Sequence, residues 1–279
     1  MESMLKKVII VPTDFSEVCN NAVQQAAGAA KLLQYKLVLL HVIDKNTKAF
    51  LKSQGQGPEH IDKQLEDIAA GVINDYGIDV ETIAREGDIF TTISQVAGEV
   101  DASIMYLGTH GKVGMQKLTG SYAHKVVTSS PVPVIVVQKR KFEGPYRRIV
   151  FPITGDAGIW EKTEWATHIA RQFKANIMIY RLPGEETKHA VEGIAKHFDK
   201  NDIHYTVNES PKASGFTAKV LEFATSNNAD MILIMTNPDK GFTSFILGSY
   251  DEELMFNTPQ IPVMLVNPRD YNWKKIVPY

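Results

Sequence analysis

"KVIIVPTD", residues 7–14, places four apolar, mostly β-branched residues in a row and stops them with Pro-Thr-Asp. A run of this kind suits a strand buried on both faces, followed at once by a turn. The pattern returns as "RIVFPITG" at 148–155, where Pro12 falls on Pro152 with a shift of 140 residues. The shift persists: "YKLVLLHVID" at 35–44 falls on "ANIMIYRLPG" at 175–184, and Ala26, Ala29, Ala30 and Leu33 fall on Ala166, Ile169, Ala170 and Phe173. Further on, "IMYLGTHGKVGMQKLTGSY" at 104–122 meets "ILIMTNPDKGFTSFILGSY" at 232–250 with a shift of 128. The second copy has thus lost about twelve residues net, most of them from the polar stretch "KNTKAFLKSQGQGPEHI" that follows the second strand.

Within a copy, strand-like runs ("VIIV", "KLVLLHV", "DVETIA", "SIMYLG", "VPVIVVQ") alternate with helical stretches near 16–34, 60–76, 90–99 and 120–129. Alternation of near-continuous apolar strands with helices predicts a parallel α/β sheet covered on both faces. The 45–60 stretch reads as a polar loop, and "GQG" at 55–57 as a turn within it. The domains expected are 1–140 and 146–268, with 269–279 as a tail.

Composition narrows the function classes. The chain has 279 residues, 44% of them hydrophobic and 22% charged, which fits two ordinary globular domains rather than a disordered or fibrous chain. A net charge of -2 gives no global attraction to nucleic acid or anionic membrane, and Lys139–Lys141 with Arg147 and Arg148 reads as a solvated linker. One cysteine, Cys19, permits no internal disulfide. The N-terminal apolar run is too short for a signal peptide and no stretch approaches a membrane span, so a cytoplasmic protein is expected.

In sheets of this kind ligands sit beyond the carboxyl ends of the strands. "PTD" at 12–14, "HVID" at 41–44 and "GTHG" at 108–111 all fall there. Asp14 is placed either to accept hydrogen bonds from a base or ribose, or to cap the turn, and position alone leaves both readings open. Gly108 and Gly111 allow main-chain N–H groups to face an anion, and Gly120-Ser121 opens a helix whose N-terminus suits phosphate. A flexible strand-to-helix connection is the competing reading. Lys112 and Lys117 are candidates to lean over a triphosphate, or simply solvated. No P-loop, no dinucleotide fingerprint after a strand and no nucleophile elbow is present. The histidines lack zinc-site spacing, so no metal site and no catalytic residue is expected. Cys19 reads as a small packed residue.

"IIVPTDFSE", "LVLLHVID" and "LGTHGKVGMQKLTGSYAHKVV…SPVPVIVV" resemble the universal stress protein family, and the internal repeat is similar to that of its tandem members. The resemblance implies two tandem five-stranded parallel-sheet domains, Rossmann-like and adenine nucleotide alpha hydrolase-like, whose last strands pair as an intramolecular pseudo-dimer. The family's nucleotide-binding branch carries Gly-x2-Gly-x9-Gly-[Ser/Thr]. Here eight residues rather than nine separate Gly111 from Gly120. The resemblance further implies that Pro12, Thr13, Asp14 and the main chain near Val42 hold adenine and ribose. Gly108, His110, Gly111, Gly120, Ser121 and Tyr122 would surround ribose and phosphates. The cofactor expected is ATP, or AMP, with Mg.

In the second copy this alignment sets Thr154 at the place of Asp14, Thr236 at that of Gly108 and Asp239 at that of Gly111. Side chains at glycine positions and a carboxylate facing phosphate predict that the second copy does not bind ATP in this way. The leading expectation is a non-enzymatic stress-response module that binds adenine nucleotide in its first half, with at most slow, incidental hydrolysis. Its partners would be that nucleotide, a protein not identified by sequence and a second tandem chain, with neither nucleic acid nor membrane. The alternatives are a nucleotide-independent interaction scaffold, or a carrier of small molecules or lipids whose second half uses Phe242 and Phe245.

Overall fold

The computed structural model describes residues 7–109, 120–141, 144–154, 159–236 and 250–267. The chain divides into two compact units, Met1–Gly144 and Pro145–Tyr279.

Unit 1 runs β1 (Val8–Pro12), α1 (Glu17–Leu33), β2 (Lys36–Ile43), α2 (Lys45–Ser53), α3 (Glu59–Tyr76), β3 (Val80–Glu86), α4 (Ile89–Glu99), β4 (Ala102–Gly108), α5 (Gly120–Ser129) and β5 (Val134–Val137). Its strands are all parallel, in the order β3-β2-β1-β4-β5. The apolar runs become strands because both sheet faces are covered: β1 is buried along its whole length. Connectivity reverses between β1 and β4, which makes the crevice at their carboxyl ends the place where this topology receives ligands.

Helix α1 starts at Ser16, whose hydroxyl accepts from the Cys19 N–H, a cap worth about 1 kcal/mol. It ends at Gln34 in the left-handed region, where the Gln34 N–H reaches the Ala30 carbonyl. Its buried face is dominated by small residues, among them Cys19, Ala22, Ala26, Ala29 and Ala30. That small face lets the helix backbone come down onto β4 at Gly108. A Cβ added to Gly108 would lie 2.8 Å from the Val18 carbonyl oxygen and 3.0 Å from the Cys19 Cα. Gly108 lies in extended strand, so what the fold uses is its lack of a side chain rather than its freedom in φ.

The stretch after β2 departs from expectation. Residues 45–53 are helix α2 rather than loop, because the Asp44 carboxylate accepts from the Thr47 N–H at 2.8 Å and Leu51 is buried beneath the helix. Its apolar residues, Ala49, Phe50 and Leu51, are consecutive rather than spaced by a helical turn, so they do not register as a period. The "GQG" at 55–57 does turn the chain, with Gly55 at φ 64°.

Unit 2 runs β6 (Arg148–Ile153), α6 (Ile159–Phe173), β7 (Asn176–Arg181), α7 (Glu185–Lys200), β8 (Tyr205–Glu209), α8 (Phe216–Ser226), β9 (Met231–Met235), α9 (Tyr250–Met255) and β10 (Val263–Val266). Its parallel strands stand in the order β10-β9-β6-β7-β8, the same topology as unit 1. Three residues, 182–184, join β7 to α7, so nothing in this unit corresponds to α2.

The strand register corrects the sequence alignment by one residue. Ile9 pairs with Ile104, and its repeat partner Ile149 pairs with Met231, so the strand equivalence is a shift of 127 rather than 128. The main chain agrees, since Thr109 N–H donates to the Val137 carbonyl as Thr236 N–H does to that of Val266. Met235, not Thr236, therefore stands at the place of Gly108, and Thr236 at that of Thr109. The identical Gly-Ser-Tyr triplets had pulled the alignment across a one-residue insertion that falls between 236 and 250.

Larger residues fill unit 2 where unit 1 has small ones. Lys162 stands at the repeat position of Ala22 and is only 2% exposed. Its ammonium donates to the Pro152 carbonyl at 2.7 Å and lies 4.6 Å from the centroid of the Phe151 ring. Tyr180, at the place of Leu40, stacks against Phe223 at 4.6 Å and Phe216 at 5.6 Å. A cation and stacked rings thus stand near the strand tips of unit 2, where unit 1 has Ala22 and Leu40.

Two outcomes follow. Gly108→Ala should lower the urea midpoint by about 1–3 kcal/mol of stability, because helix backbone rather than a flexible side chain meets the added methyl. An unchanged midpoint would contradict the close approach of α1. Lys162→Ala should destabilise unit 2 by about 2–4 kcal/mol in calorimetric unfolding, through a cavity and an abandoned carbonyl, and Lys162→Met by less. A methionine variant as stable as the native chain would show that the ammonium's bond to Pro152 contributes nothing.

Candidate functional site

The site begins in the turn that follows β1. The Phe15 N–H donates to Thr13 Oγ1 and the Ser16 N–H to Asp14 Oδ1, both at 3.0 Å. These two side-chain turns hold Phe15 at φ 67°, a left-handed conformation uncommon for a bulky residue and frequent where a fold positions groups for function. The twist lays the Phe15 ring on the His41 ring, centroids 4.6 Å apart and planes 14° from parallel.

His41 joins the tips of two strands. Its Nδ1 lies 2.8 Å from the Thr13 carbonyl oxygen, and because a carbonyl can only accept, Nδ1 carries the proton. Its Nε2 faces Thr47 Oγ1 at 3.4 Å, and that hydroxyl is 3.0 Å from Asp44 Oδ1. The imidazole is thereby committed to holding β1, β2 and the first turn of α2 together. This agrees with the reading of the histidines as hydrogen-bonded residues.

Asp14 serves the turn through Ser16, and its carboxylate can accept several hydrogen bonds at once. Beneath it lies Cys19, fully buried. Burial, reinforced by the Asp14 carboxylate, pushes the Cys19 thiol up to about 12, so it is a packed and unreactive group.

These residues line a cleft of about 480 Å³, within the range of small-molecule sites. Its lining brings together Pro12, Thr13, Asp14 and Ser16 at the end of β1, Leu40, His41 and Val42 of β2, and Thr47 and Phe50 of α2. Ile61 and Gln64 of α3 and Ile89 and Ile93 of α4 complete it. Among the described residues, the charged side chains on this lining are both carboxylates, Asp14 and Asp44.

Next to the cleft's strands, at the tip of β4, Thr109 is fully buried and its hydroxyl has no hydrogen-bond partner among the described residues. Its counterpart Thr236 instead donates to Asn267 Oδ1 at 2.5 Å. Leaving a buried hydroxyl unsatisfied costs about 1–3 kcal/mol, so unit 1 retains an open polar valence that unit 2 has closed.

Of the residues expected at a site, Pro12, Thr13, Asp14 and Val42 meet on this cleft. Gly108 lies behind it, against α1. Gly120, Ser121 and Tyr122 form the first turn of α5. His110, Gly111, Lys112, Lys117, Asp239, Phe242 and Phe245 lie outside the described residues. Sequence reasoning missed Phe15, Thr47 and Phe50 as lining residues. The only signal for the latter two was the Asp44 cap that starts a helix where a loop was expected.

Known proteins place this architecture. The family model for the universal stress protein family matches residues 6–138. A universal stress protein of Synechocystis is 36% identical over 136 residues, 47% of this chain and 85% of that protein. One from Methanocaldococcus jannaschii is 29% identical over 150 residues, 51% of this chain and 87% of its own length. Among solved structures, a universal stress protein from Archaeoglobus fulgidus aligns over 94% of this chain and 98% of its own with a TM-score of 0.77, at 19% identity. Single-domain relatives thus span about half of this chain, while the two-unit fold as a whole recurs in a solved structure. The parallel α/β units, the strand-tip cleft and these matches together make the chain a member of the universal stress protein family.

Proposed function

We propose that unit 1 is an adenine-nucleotide-binding module and that the protein acts by binding, as a regulatory component of the stress response in the cytoplasm. The cleft at the tips of β1 and β2 supports this reading, since it combines an apolar slot with the Asp14 carboxylate at the carboxyl ends of parallel strands, beside the switch point between β1 and β4. An exocyclic amino group needs such an acceptor, and an apolar slot suits a flat ring. The open valence at Thr109 supports a polar ligand group or water near the tip of β4. The family resemblance adds the residues around Gly111 and Gly120 as the phosphate end.

Binding rather than turnover fits the chemistry of the lining. His41, the side chain best suited to move a proton, has Nδ1 committed to the Thr13 carbonyl and Nε2 turned to Thr47. Cys19 is buried and its thiol is held protonated. No helix among the described residues is long and apolar enough to cross a membrane.

Unit 2 does not serve as a second site of this kind in our reading. Lys162 engages the Pro152 carbonyl at the strand tip, and Tyr180 with Phe216 takes the space that unit 1 leaves to the cleft. Thr154 stands where Asp14 would offer its carboxylate.

Calorimetric titration of ATP with magnesium should show one equivalent bound per chain. Asp14→Asn keeps an oxygen for the Ser16 N–H and so keeps the turn. It should nevertheless bind about tenfold more weakly, as expected for loss of a charge-assisted bond. No heat of binding in the native protein, two equivalents, or an asparagine variant with native affinity would each overturn the reading.

A further inference from the structure

Helix α2 belongs to unit 1 alone, and its construction points at the cleft. The Asp44 carboxylate accepts from both the N–H and the hydroxyl of Thr47, at 2.8 and 3.0 Å, which fixes the first turn. Thr47 Oγ1 in turn lies 3.4 Å from His41 Nε2, a contact that sets this turn against the end of β2. Leu51 anchors the far end in the core. At nine residues the helix is too short to stand by itself, so these three attachments decide where its other side chains go.

Thr47 and Phe50 are three residues apart and share one helical face, and both line the cleft. Phe50 is 54% exposed, although its neighbour Leu51 is buried. Asp14 and Val42 line the same cleft. Among the described residues, the carboxylates of Asp14 and Asp44 are the charged groups on the lining, an arrangement that repels phosphate and favours a neutral ring bearing donor groups.

We propose that Phe50 is a ring-stacking residue that determines the ligand class of unit 1. It covers the flat face of a nitrogen heterocycle whose edge meets Asp14 and the main chain at Val42. The proposal rests on the reading of this cleft as a nucleotide site. Its content is that recognition lies in the ring: the base-bearing end enters the slot between α2 and the β1 turn, and affinity there is set by stacking. Alanine substitution of a base-stacking aromatic typically costs enough to weaken binding about tenfold or more. The loss should be the same for adenosine as for ATP, because the phosphates do not touch this wall. Ribose 5-phosphate, which has no ring to stack, should not compete.

The test is titration of adenosine and of ATP into the native protein and into Phe50→Ala, Phe50→Leu and Phe50→Tyr, with Asp14→Asn as reference. The side chain is largely exposed, so the variants should fold as the native chain does, checked by their urea midpoints. The expected result is a weakening of about tenfold for both ligands in Phe50→Ala, an intermediate loss in Phe50→Leu and near-native binding in Phe50→Tyr. If Phe50→Ala binds like the native protein while Asp14→Asn is weakened, stacking is overturned and the nucleotide reading stands. If Phe50→Leu matches the native protein, apolar bulk suffices and the aromatic claim is overturned. If the native protein binds neither ligand, the reading of the cleft falls and this proposal falls with it.

Discussion

The approach of the α1 backbone to β4 at Gly108 is the constraint on which the rest of unit 1 depends. With 2.8 Å between the Val18 carbonyl oxygen and the place of a Cβ, no side chain fits between helix and strand. The start of α1 is therefore drawn down to the strand tips. The turn that leads into it, Thr13 to Ser16, must then fold tightly, and it does so through two side-chain bonds that force Phe15 into a left-handed conformation. Phe15 lies on His41, His41 holds Thr13 and Thr47, and Thr47 holds α2 at the mouth of the cleft. A close packing contact in the core thus sets, link by link, the shape of a surface cleft.

The two units show what the same topology does with different residue sizes. Unit 1 puts Ala22, Gly108 and Leu40 where unit 2 puts Lys162, Met235 and Tyr180, all buried. In unit 1 the helix backbone takes up the space beside Gly108, and Leu40 lines the open cleft. In unit 2 larger side chains stand at the strand tips, among them a buried ammonium received by the Pro152 carbonyl and the Phe151 face. Thr109 and Thr236 repeat the contrast in one hydrogen bond, open in the first unit and closed on Asn267 in the second. On the proposed reading, unit 1 binds the nucleotide and unit 2 does not.

Much of the fold was legible in the sequence, because strands buried on both faces are continuous apolar runs and the repeat exposes itself through Pro12 and Pro152. The site was legible in part: "PTD" and "HVID" fall at strand ends, and strand ends are where this topology binds. What escaped has physical reasons. Gly108 looked like a loop glycine because its packing partner, Val18, lies 90 residues away in the chain. Helix α2 depends on a cap and on Leu51 rather than on an amphipathic period. The one-residue insertion in the second copy was hidden by the identical Gly-Ser-Tyr triplets, and only the ladder register revealed it. Lys162 did leave a signal. It stands three and four residues before Trp165 and Ala166 on the apolar face of α6, where a charge demands an internal partner.

The central claim is that one unit receives the nucleotide and the other is filled from within, and hydrogen exchange with and without saturating ATP tests it most directly. The account predicts slowed exchange in the Thr13–Ser16 turn, the end of β2 and helix α2, with 152–154 and 180–187 unchanged. Protection of those unit 2 segments, or none in unit 1, would contradict it.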